Sequence, residues 1–416
     1  MIQKLKGMYD VYGDLAKKHD YVKKLFQAVC ESYNYSYIET PLIERSELFH
    51  RGVGETTDIV TKETYDFVDR GGRNNTLRPE GTAGVARSII ENKLYNTLPL
   101  KLWYYGSMFR YERPQKGRYR ELRQMGIESY GSNNPIMDAE VISLGINFLR
   151  ELGINAKVKI NSIGGIETRN KYREALIKHF EGSIDEFCSD CKERLHKNPL
   201  RILDCKVDSN NELIKNAPSI LDYLTEEEDK YFKNVLEYLD QLEIDYEIDN
   251  SLVRGLDYYT NTVFEFVSEI DDFGSIGGGG RYDNLLSSLD GPSVPAVGFA
   301  FGFDRIVATL DALNIDPVKD NNGLDVYILT ITDKENFYAL ELAQKLRMCG
   351  YKVDLDLTGK NMKAKFKESD RYNSKYIIMV GEEEELTDVL TIKDNLTKEE
   401  KKIELDNLID FLDTNI

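Results

Sequence analysis

Long apolar runs are missing from this 416-residue chain. No window approaches the ~18 apolar residues that a membrane span needs, and the opening MIQKLKGMYD lacks the apolar core of a secretory signal. Cysteine is scarce: the five present are an odd number, which argues against a disulfide framework and for a reducing compartment. A cytoplasmic protein is expected. Positive charge is also short, with 54 Lys and Arg against 72 Asp and Glu and a formal net charge of -18. That balance repels phosphate backbones at long range and excludes a generic nucleic-acid binder, so any RNA contact has to use local patches. Neither a G-x-x-x-x-G-K-[ST] phosphate loop nor an internal repeat nor a low-complexity tract is found.

What is present concentrates in a few segments. LVRGLDYYTNTVFEF (252–266) reads as an apolar, aromatic strand, yet it carries Arg254, Asp257 and Glu265. Such charges are costly to bury unless a polar ligand sits against them. GSIGGGGRYDNL (274–285) follows, and the glycines at 277–280 let backbone approach a small molecule closely. Together the two read as the wall and floor of a pocket; singly, each also reads as a glycine-kinked hairpin with satisfied surface charges. FRYERPQKGRYRELRQMGIE (109–128) places Arg110 on a strand, a basic loop after it, and Gln124 and Glu128 beyond. Planar guanidiniums suit phosphate oxygens, so this is a candidate polyphosphate clamp, with a hairpin of solubilising arginines as the alternative. GFAFGFDRI (298–306) ends a strand at glycine and presents Arg305 at a helix start, where an anion or nucleotide is favoured; core packing explains it equally. Two basic stretches could meet RNA, RPQKGRYR (113–120) and GKNMKAKFK (359–367), the second also readable as a solvated helix face.

The length predicts about two to three domains. Over residues 1 to about 320, helical patterns such as YVKKLFQAVCESY (21–33) mix with strand-like runs at 35–44, 100–113, 252–266 and 294–306. Closely spaced strands outside strict alternation argue for α+β with an antiparallel sheet. Residues 165–240 turn charged and helical, as an insertion would. From Leu324 the order strand, helix, strand, helix, strand predicts a small α/β domain with a partly parallel sheet. EEEEL (382–386) reads as a solvated acidic turn. Cys188, Cys191, His196 and Cys205 include a C-x-x-C pair of the kind that ligates zinc. Their irregular spacing and the lack of a second tight pair favour ordinary reduced thiols, and no metal site is expected.

The segments at 252–266 and 274–285 resemble the signature blocks that hold histidine in histidyl-tRNA synthetases. Those at 109–128 and 298–306 resemble motifs 2 and 3 of class II aminoacyl-tRNA synthetases, and YIETPLIE (37–44), with Pro41, resembles motif 1. TDIVTKETYDF (57–67) and TLRPEGTAGVAR (76–87) are similar to the family's early active-site blocks. The order of blocks runs through nearly the whole chain. The resemblance implies a catalytic domain over 1–322 on an antiparallel sheet of about six strands or more with flanking helices. It also implies the 165–240 helical insertion, dimerisation through motif 1, and an anticodon-binding α/β domain over 323–416.

It further implies site roles. Glu80, Thr82 and Gln124 would hold the α-amino group of histidine; Glu128 and Tyr259, with Tyr258 beside them, would grip the imidazole. Arg110 and Arg254 would bracket the α-phosphate of ATP during attack by the histidine carboxylate. Glu112 would meet the adenine amino group, Arg118 the terminal phosphate, and Arg305 the adenine plane. Mg²⁺ would enter with ATP. Arg113, Gln115 and Lys116 would lie near the tRNA acceptor end. His19, His50, His179 and His196 fall outside these blocks, and none is assigned to catalysis. The expected activity is ATP-dependent ligation of L-histidine to tRNA(His) by a cytoplasmic homodimer. Its alternative is a non-catalytic paralogue that senses histidine or tRNA; a histidine sensor would be expected to lose the phosphate-binding arginines and the C-terminal domain, both present here. The chain departs from the family at Leu122, usually aromatic, at Arg123, usually histidine, at Asp304, usually glutamate, and at KGMYD, more often KGTRD.

Overall fold

The computed structural model describes residues 1–54, 57, 59–115, 117–205, 207–270, 274–317, 323–357, 359 and 361–416. Two compact units divide the chain, Met1–Pro317 and Val318–Ile416.

The first unit is built on an eight-stranded sheet. Its order is Ser36–Tyr37, Leu100–Phe109, Glu121–Tyr130, Ala296–Gly302, Ser275–Arg281, Thr260–Ser268, Ala156–Ser162 and Tyr246–Ile248. The inner six strands run antiparallel and the two short edge strands pair parallel to their neighbours. Leu100–Phe109 and Glu121–Tyr130 form one long hairpin, in register from Leu100 opposite Tyr130 to Phe109 opposite Glu121. Because side chains alternate along a strand, each face is a separate sequence pattern. One face carries Trp103, Met125, Ile127, Phe264, Phe266, Phe299 and Phe301 into a single core. Helix Gly13–Ser32 adds Val22, Phe26 and Cys30 to it from one stripe, four residues apart. Helix Pro135–Glu151 is buried along most of its length, starting from Asn134, whose side chain accepts the Ile136 N–H at 3.2 Å, with Pro135 in the first turn. Helix Glu226–Gln241 opens with a Thr225–Glu228 capping box and packs against it.

The insertion is helical as expected, with Ile166–Phe180, Ser189–Lys197, Leu200–Leu203 and Glu212–Lys215 preceding Glu226–Gln241. A small antiparallel sheet of Ile43–Arg45, Asn74–Leu77 and Tyr65–Val68 supports the early blocks. The second unit holds a five-stranded sheet in the order Val353–Leu355, Val326–Thr330, Tyr376–Val380, Val389–Asp394, Glu400–Glu404. Its first three strands are parallel and its last two antiparallel, packed on helices Asn336–Met348 and Leu408–Asn415. Among the described residues no helix is long and apolar enough to cross a membrane.

Several local expectations are corrected. The strand read over 252–266 begins only at Thr260, and Arg254, Asp257, Tyr258 and Tyr259 lie in the preceding loop. Apolar residues there face a pocket rather than a ladder. Arg110 sits just past the end of its strand, its N–H donating to Arg120 O at 2.9 Å across the base of the hairpin. The stretch 35–44 is no single strand; it divides between the edge of the large sheet and the start of the small one. EEEEL belongs to helix Glu382–Thr387, where Glu384 is buried, accepting the Gly381 N–H at 3.0 Å and the Thr391 hydroxyl at 2.8 Å. In the basic run 359–367, Lys365 is buried and bonded to Thr330 O at 2.8 Å, so it is not available to RNA; Lys360 lies outside the described residues.

Candidate active site

On the opposite face of the sheet, Leu102, Met108, Tyr130, Val263 and Ala296 join a second apolar cluster, while the middle of that face is nearly bare. Following the registers, Tyr104, Gly106, Gln124, Gly126, Glu128, Gly298, Ala300, Gly302, Gly278, Gly280 and Glu265 all point to that side. Seven of these eleven positions are Gly or Ala, which opens a floor between the few polar side chains. The glycine run at 277–280 serves both faces. A Cβ on Gly278 would stand 2.7 Å from Arg254 Nη1, so this glycine makes room for the arginine. On the other face, Gly277 and Gly279 accommodate the rings and backbone of Phe301 and Phe299.

Over this floor lies a cleft of about 620 Å³ lined by Arg110, Glu112, Gln115, Arg118, Leu122, Arg123, Gln124, Arg254, Glu265, Ser275, Asp304 and Arg305, with glycines between them. Besides Arg123, which Asp304 holds, four guanidiniums are fixed at its walls. Arg110 Nε donates to Pro79 O at 2.8 Å, Arg254 donates to Glu265, and Arg305 donates to Ser275 O. Arg118 stands 3.5 Å from Glu112, which is also 4.0 Å from Arg110. Arg254 Nε is buried and has no hydrogen-bond partner among the described residues; neither has Gln124 Oε1. The loop above the cleft closes through reciprocal bonds between Gln115 and Arg118. Arg113 and Gln115 are exposed on it, while Lys116 lies outside the described residues. Arg120 is held low, its guanidinium 3.8 Å from the Tyr111 ring centre.

Beside the cleft, and closed from water, is a second polar group. Glu80 is buried and accepts the backbone N–H groups of Thr82 and Ala83, each at 2.8 Å, at the start of helix Thr82–Glu91. Thr82 Oγ1 donates to Glu128 Oε1 at 2.7 Å, and the Tyr282 hydroxyl donates to Glu128 Oε2. Burial pushes the Glu128 carboxyl up to about 8, with the Tyr282 and Thr82 bonds opposing. Burial raises Glu80 as well, against the two backbone bonds. Tyr258, Tyr259 and Tyr282 form an aromatic wall with ring centres 4.7 to 6.4 Å apart, and the buried Tyr104 hydroxyl is without a partner among the described residues.

The structure thus brings Arg110, Glu112, Arg118, Arg254, Arg305, Gln115 and Gln124 to one cleft. Glu80, Thr82 and Glu128 gather in the closed group, with Tyr258 and Tyr259 reaching it through Tyr282. Arg113 is not among the residues lining the cleft. Tyr282 was missed as a functional side chain although it stands inside the glycine block; only its contact with Glu128, 154 residues away, marks it out.

Three departures from the family pattern turn out to be neighbours. Asp304, buried at the start of helix Phe303–Ala312, accepts the Arg123 N–H at 2.8 Å and the Tyr9 hydroxyl. The Arg123 guanidinium stands 3.5 Å from the same carboxylate and 5.1 Å from the Tyr9 ring centre. The four residues weighed for zinc do not all meet. Cys188, Cys191 and Cys205 converge, together with Asp208, whereas His196 is exposed and outside the group.

The family model described as histidyl-tRNA synthetase matches residues 7–306, and one described as an anticodon binding domain matches 325–415. The histidine--tRNA ligase of Bacillus licheniformis is 50% identical over 99% of this chain and 98% of its own length. The enzyme of the same description from Bacillus subtilis is 47% identical with the same coverage. The crystal structure of apo S. aureus histidyl-tRNA synthetase superposes with a TM-score of 0.84 at 39% identity, covering 99% of this chain and 100% of that one.

Proposed function

The chain belongs to the histidyl-tRNA synthetase family, and from that premise we propose that it charges tRNA(His) with L-histidine through a histidyl-adenylate made in the cleft just described. The observation that carries this reading is the junction of two chemistries on one glycine-lined stretch of sheet: the guanidiniums of Arg110, Arg118, Arg254 and Arg305 beside a closed carboxylate pocket. Guanidiniums suit a polyphosphate; a buried, hydrogen-bonded carboxylate suits an imidazole N–H.

In the first step the histidine carboxylate attacks the α-phosphate of ATP and pyrophosphate leaves. Arg110 and Arg254 bracket that phosphate, and the unpartnered Nε of Arg254 supports this role. Charge building on the phosphate is met by fixed cations, so alignment and electrostatics lower the barrier without a protein base. Arg118 takes the terminal phosphate, Glu112 the adenine amino group and Arg305 the adenine plane. Mg²⁺ would accompany ATP, held largely by the phosphates with Glu265 as a cleft carboxylate beside them, and would supply neutralisation of phosphate charge. Glu80, Thr82 and Gln124 hold the α-amino group, and the free Oε1 of Gln124 accounts for one acceptor. Glu128, with Tyr258 and Tyr259, selects the imidazole, because a closed polar site rejects ligands that leave its groups unpaired. In the second step a hydroxyl of the terminal ribose of tRNA attacks the acyl carbon, the bond to phosphate breaks and AMP leaves, with Arg113, Gln115 and Lys116 near the acceptor end.

The same reading assigns residues 1–322 to catalysis, with 165–240 as insertion, and 323–416 to the anticodon. It places the protein in the cytoplasm as a homodimer. Tyr37, Leu42 and Ile43, exposed around the motif 1 segment, supply apolar surface for such a dimer. A sensor without catalysis is not favoured, since Arg110, Arg254 and Arg305 line the cleft and relatives of nearly the same length are ligases.

Histidine-dependent exchange of pyrophosphate into ATP, without tRNA and with the other amino acids as controls, tests the first step. Exchange with histidine alone is expected, and its loss in Arg254→Ala with the fold intact. Histidine binding without any exchange would overturn the catalytic reading.

A further inference from the structure

The insertion carries a group of side chains that the ligation reaction does not use. Cys188 caps helix Ser189–Lys197 and Cys191 stands in its first turn, so the C-x-x-C spacing puts two thiols at one helix end. Cys205 follows the short helix Leu200–Leu203, and Asp208 comes from the turn beyond. One ligand atom from each of the four lies within 4.8 Å of every other. Cys188 Sγ is 3.7 Å from Cys205 Sγ, and Cys205 Sγ is 3.6 Å from Asp208 Oδ2.

Those separations discriminate between occupants. A disulfide requires sulfurs about 2.05 Å apart. A tetrahedral zinc with Zn–S near 2.3 Å sets sulfur–sulfur edges of about 3.8 Å, and a shorter Zn–O bond brings the oxygen edge to about 3.5 Å. Two of the six separations, 3.7 Å and 3.6 Å, are close to those zinc edges, and the whole set stays within 4.8 Å. Cys191 and Cys205 are buried and Cys188 half-buried, all three within the apolar cluster formed by the insertion and the sheet. Thiols are weak donors and poor acceptors, so three of them turned toward one carboxylate leave much of that buried polarity unused without an ion. The Cys188 N–H donates to Asp208 Oδ2 at 3.1 Å, which orients the carboxylate.

We propose that Cys188, Cys191, Cys205 and Asp208 form a closed structural site for a divalent cation of zinc type. Four protein ligands leave no open position, which fits a structural rather than a catalytic ion. Its effect reaches the cleft through the chain between the ligands. Arg201, between Cys191 and Cys205, donates to the carbonyl of Arg254 at 3.2 Å, and its own carbonyl accepts from Arg194 at 3.3 Å. Ligation therefore holds the insertion where it supports the loop that presents Arg254, a positioning role.

The test is the metal content of the untagged full chain, purified without chelator and dialysed against metal-free buffer. About one zinc per chain is expected, retained in Cys349→Ser and lost in Cys188→Ser and Cys205→Ser. Should the latter variants fail to fold, the wild-type protein still decides: exchange with Co²⁺ is expected to produce thiolate-to-cobalt charge-transfer absorption and tetrahedral d–d bands. Stripping the ion should open residues 181–216 to limited proteolysis. Protein without zinc whose thiols all react freely in the native state would overturn the proposal, as would a Cys188–Cys205 disulfide in material isolated under non-reducing conditions. Equal protease resistance with and without the ion would overturn the structural role.

Discussion

At the residue scale the site turns on Glu128. Burial pushes its carboxyl from 4.5 up to about 8, which favours the protonated form in the free protein near neutral pH. The sign follows from linkage: a carboxyl raised in the folded state contributes stability that is full below 4.5 and is lost as pH rises through about 8. Histidine that presents an imidazole N–H to ionised Glu128 displaces that proton on binding. Histidine affinity should therefore rise with pH up to about 8, by as much as about tenfold per unit. Calorimetric titration across that range checks it, and Glu128→Gln should flatten the profile. Tyr282→Phe removes a donor that lowers the Glu128 pKa, so it should weaken histidine by about tenfold and shift the profile upward, with the KM for ATP little changed. The Tyr9, Arg123 and Asp304 contact gives a separate prediction. Arg123→Ala leaves a buried carboxylate without its cation and should cost about 1–3 kcal/mol in urea unfolding. Adding Asp304→Asn should recover part of it, a coupling of about 1 kcal/mol; strict additivity would mean that the departures do not compensate one another.

At the scale of elements, the strands Ser275–Arg281 and Ala296–Gly302 are glycine-rich because two surfaces compete for the same volume. Gly298 stands opposite Glu128 in register, and a Cβ there would overlap Glu128 Oε2 and the Ile127 carbonyl. Backbone cannot yield as a flexible side chain can. Gly298→Ala should destabilise the protein by about 1–3 kcal/mol and raise the KM for histidine, measured by urea titration and by pyrophosphate exchange. Glycine is unfavourable within strands, and the sheet tolerates the run because Phe264, Phe266, Phe299 and Phe301 pack the opposite face, with ring centres 4.8 to 5.5 Å apart between neighbours.

At the scale of the whole molecule, two units with separate cores bear on how the activity divides. A chain ending at Pro317 should fold, keep histidine-dependent pyrophosphate exchange and lose most of its tRNA charging, compared by exchange and aminoacylation assays. Loss of exchange would tie the second unit to adenylate chemistry. The net charge of -18 means that tRNA meets a repulsive field at distance, and attraction is confined to local basic surface such as the loop carrying the exposed Arg113. Lys365, bonded to Thr330, is part of the domain's structure rather than of that surface.

Much of the fold was legible because it is written in local periodicities: the antiparallel sheet with its helical insertion, and the strand and helix alternation after Leu324. Some charged candidates were legible too, since Arg254 and Glu265 stand out as charges in an aromatic, apolar run. Element boundaries were less so. The loop at 252–259 has the composition of a strand because Leu252 and Tyr259 are buried in an apolar cluster, with Leu256 and Tyr258 packed against it, and local composition does not say what does the burying. Tyr282 on Glu128, Asp304 with Arg123 and Tyr9, and Asp208 rather than His196 beside the three thiols are all pairings across the fold. By itself the sequence determined which chemistries the chain carries, because residue types and spacings are local. Which groups meet, and how far each carboxylate is taken from water, was decided by tertiary structure, since distance and desolvation arise only when separate segments pack together.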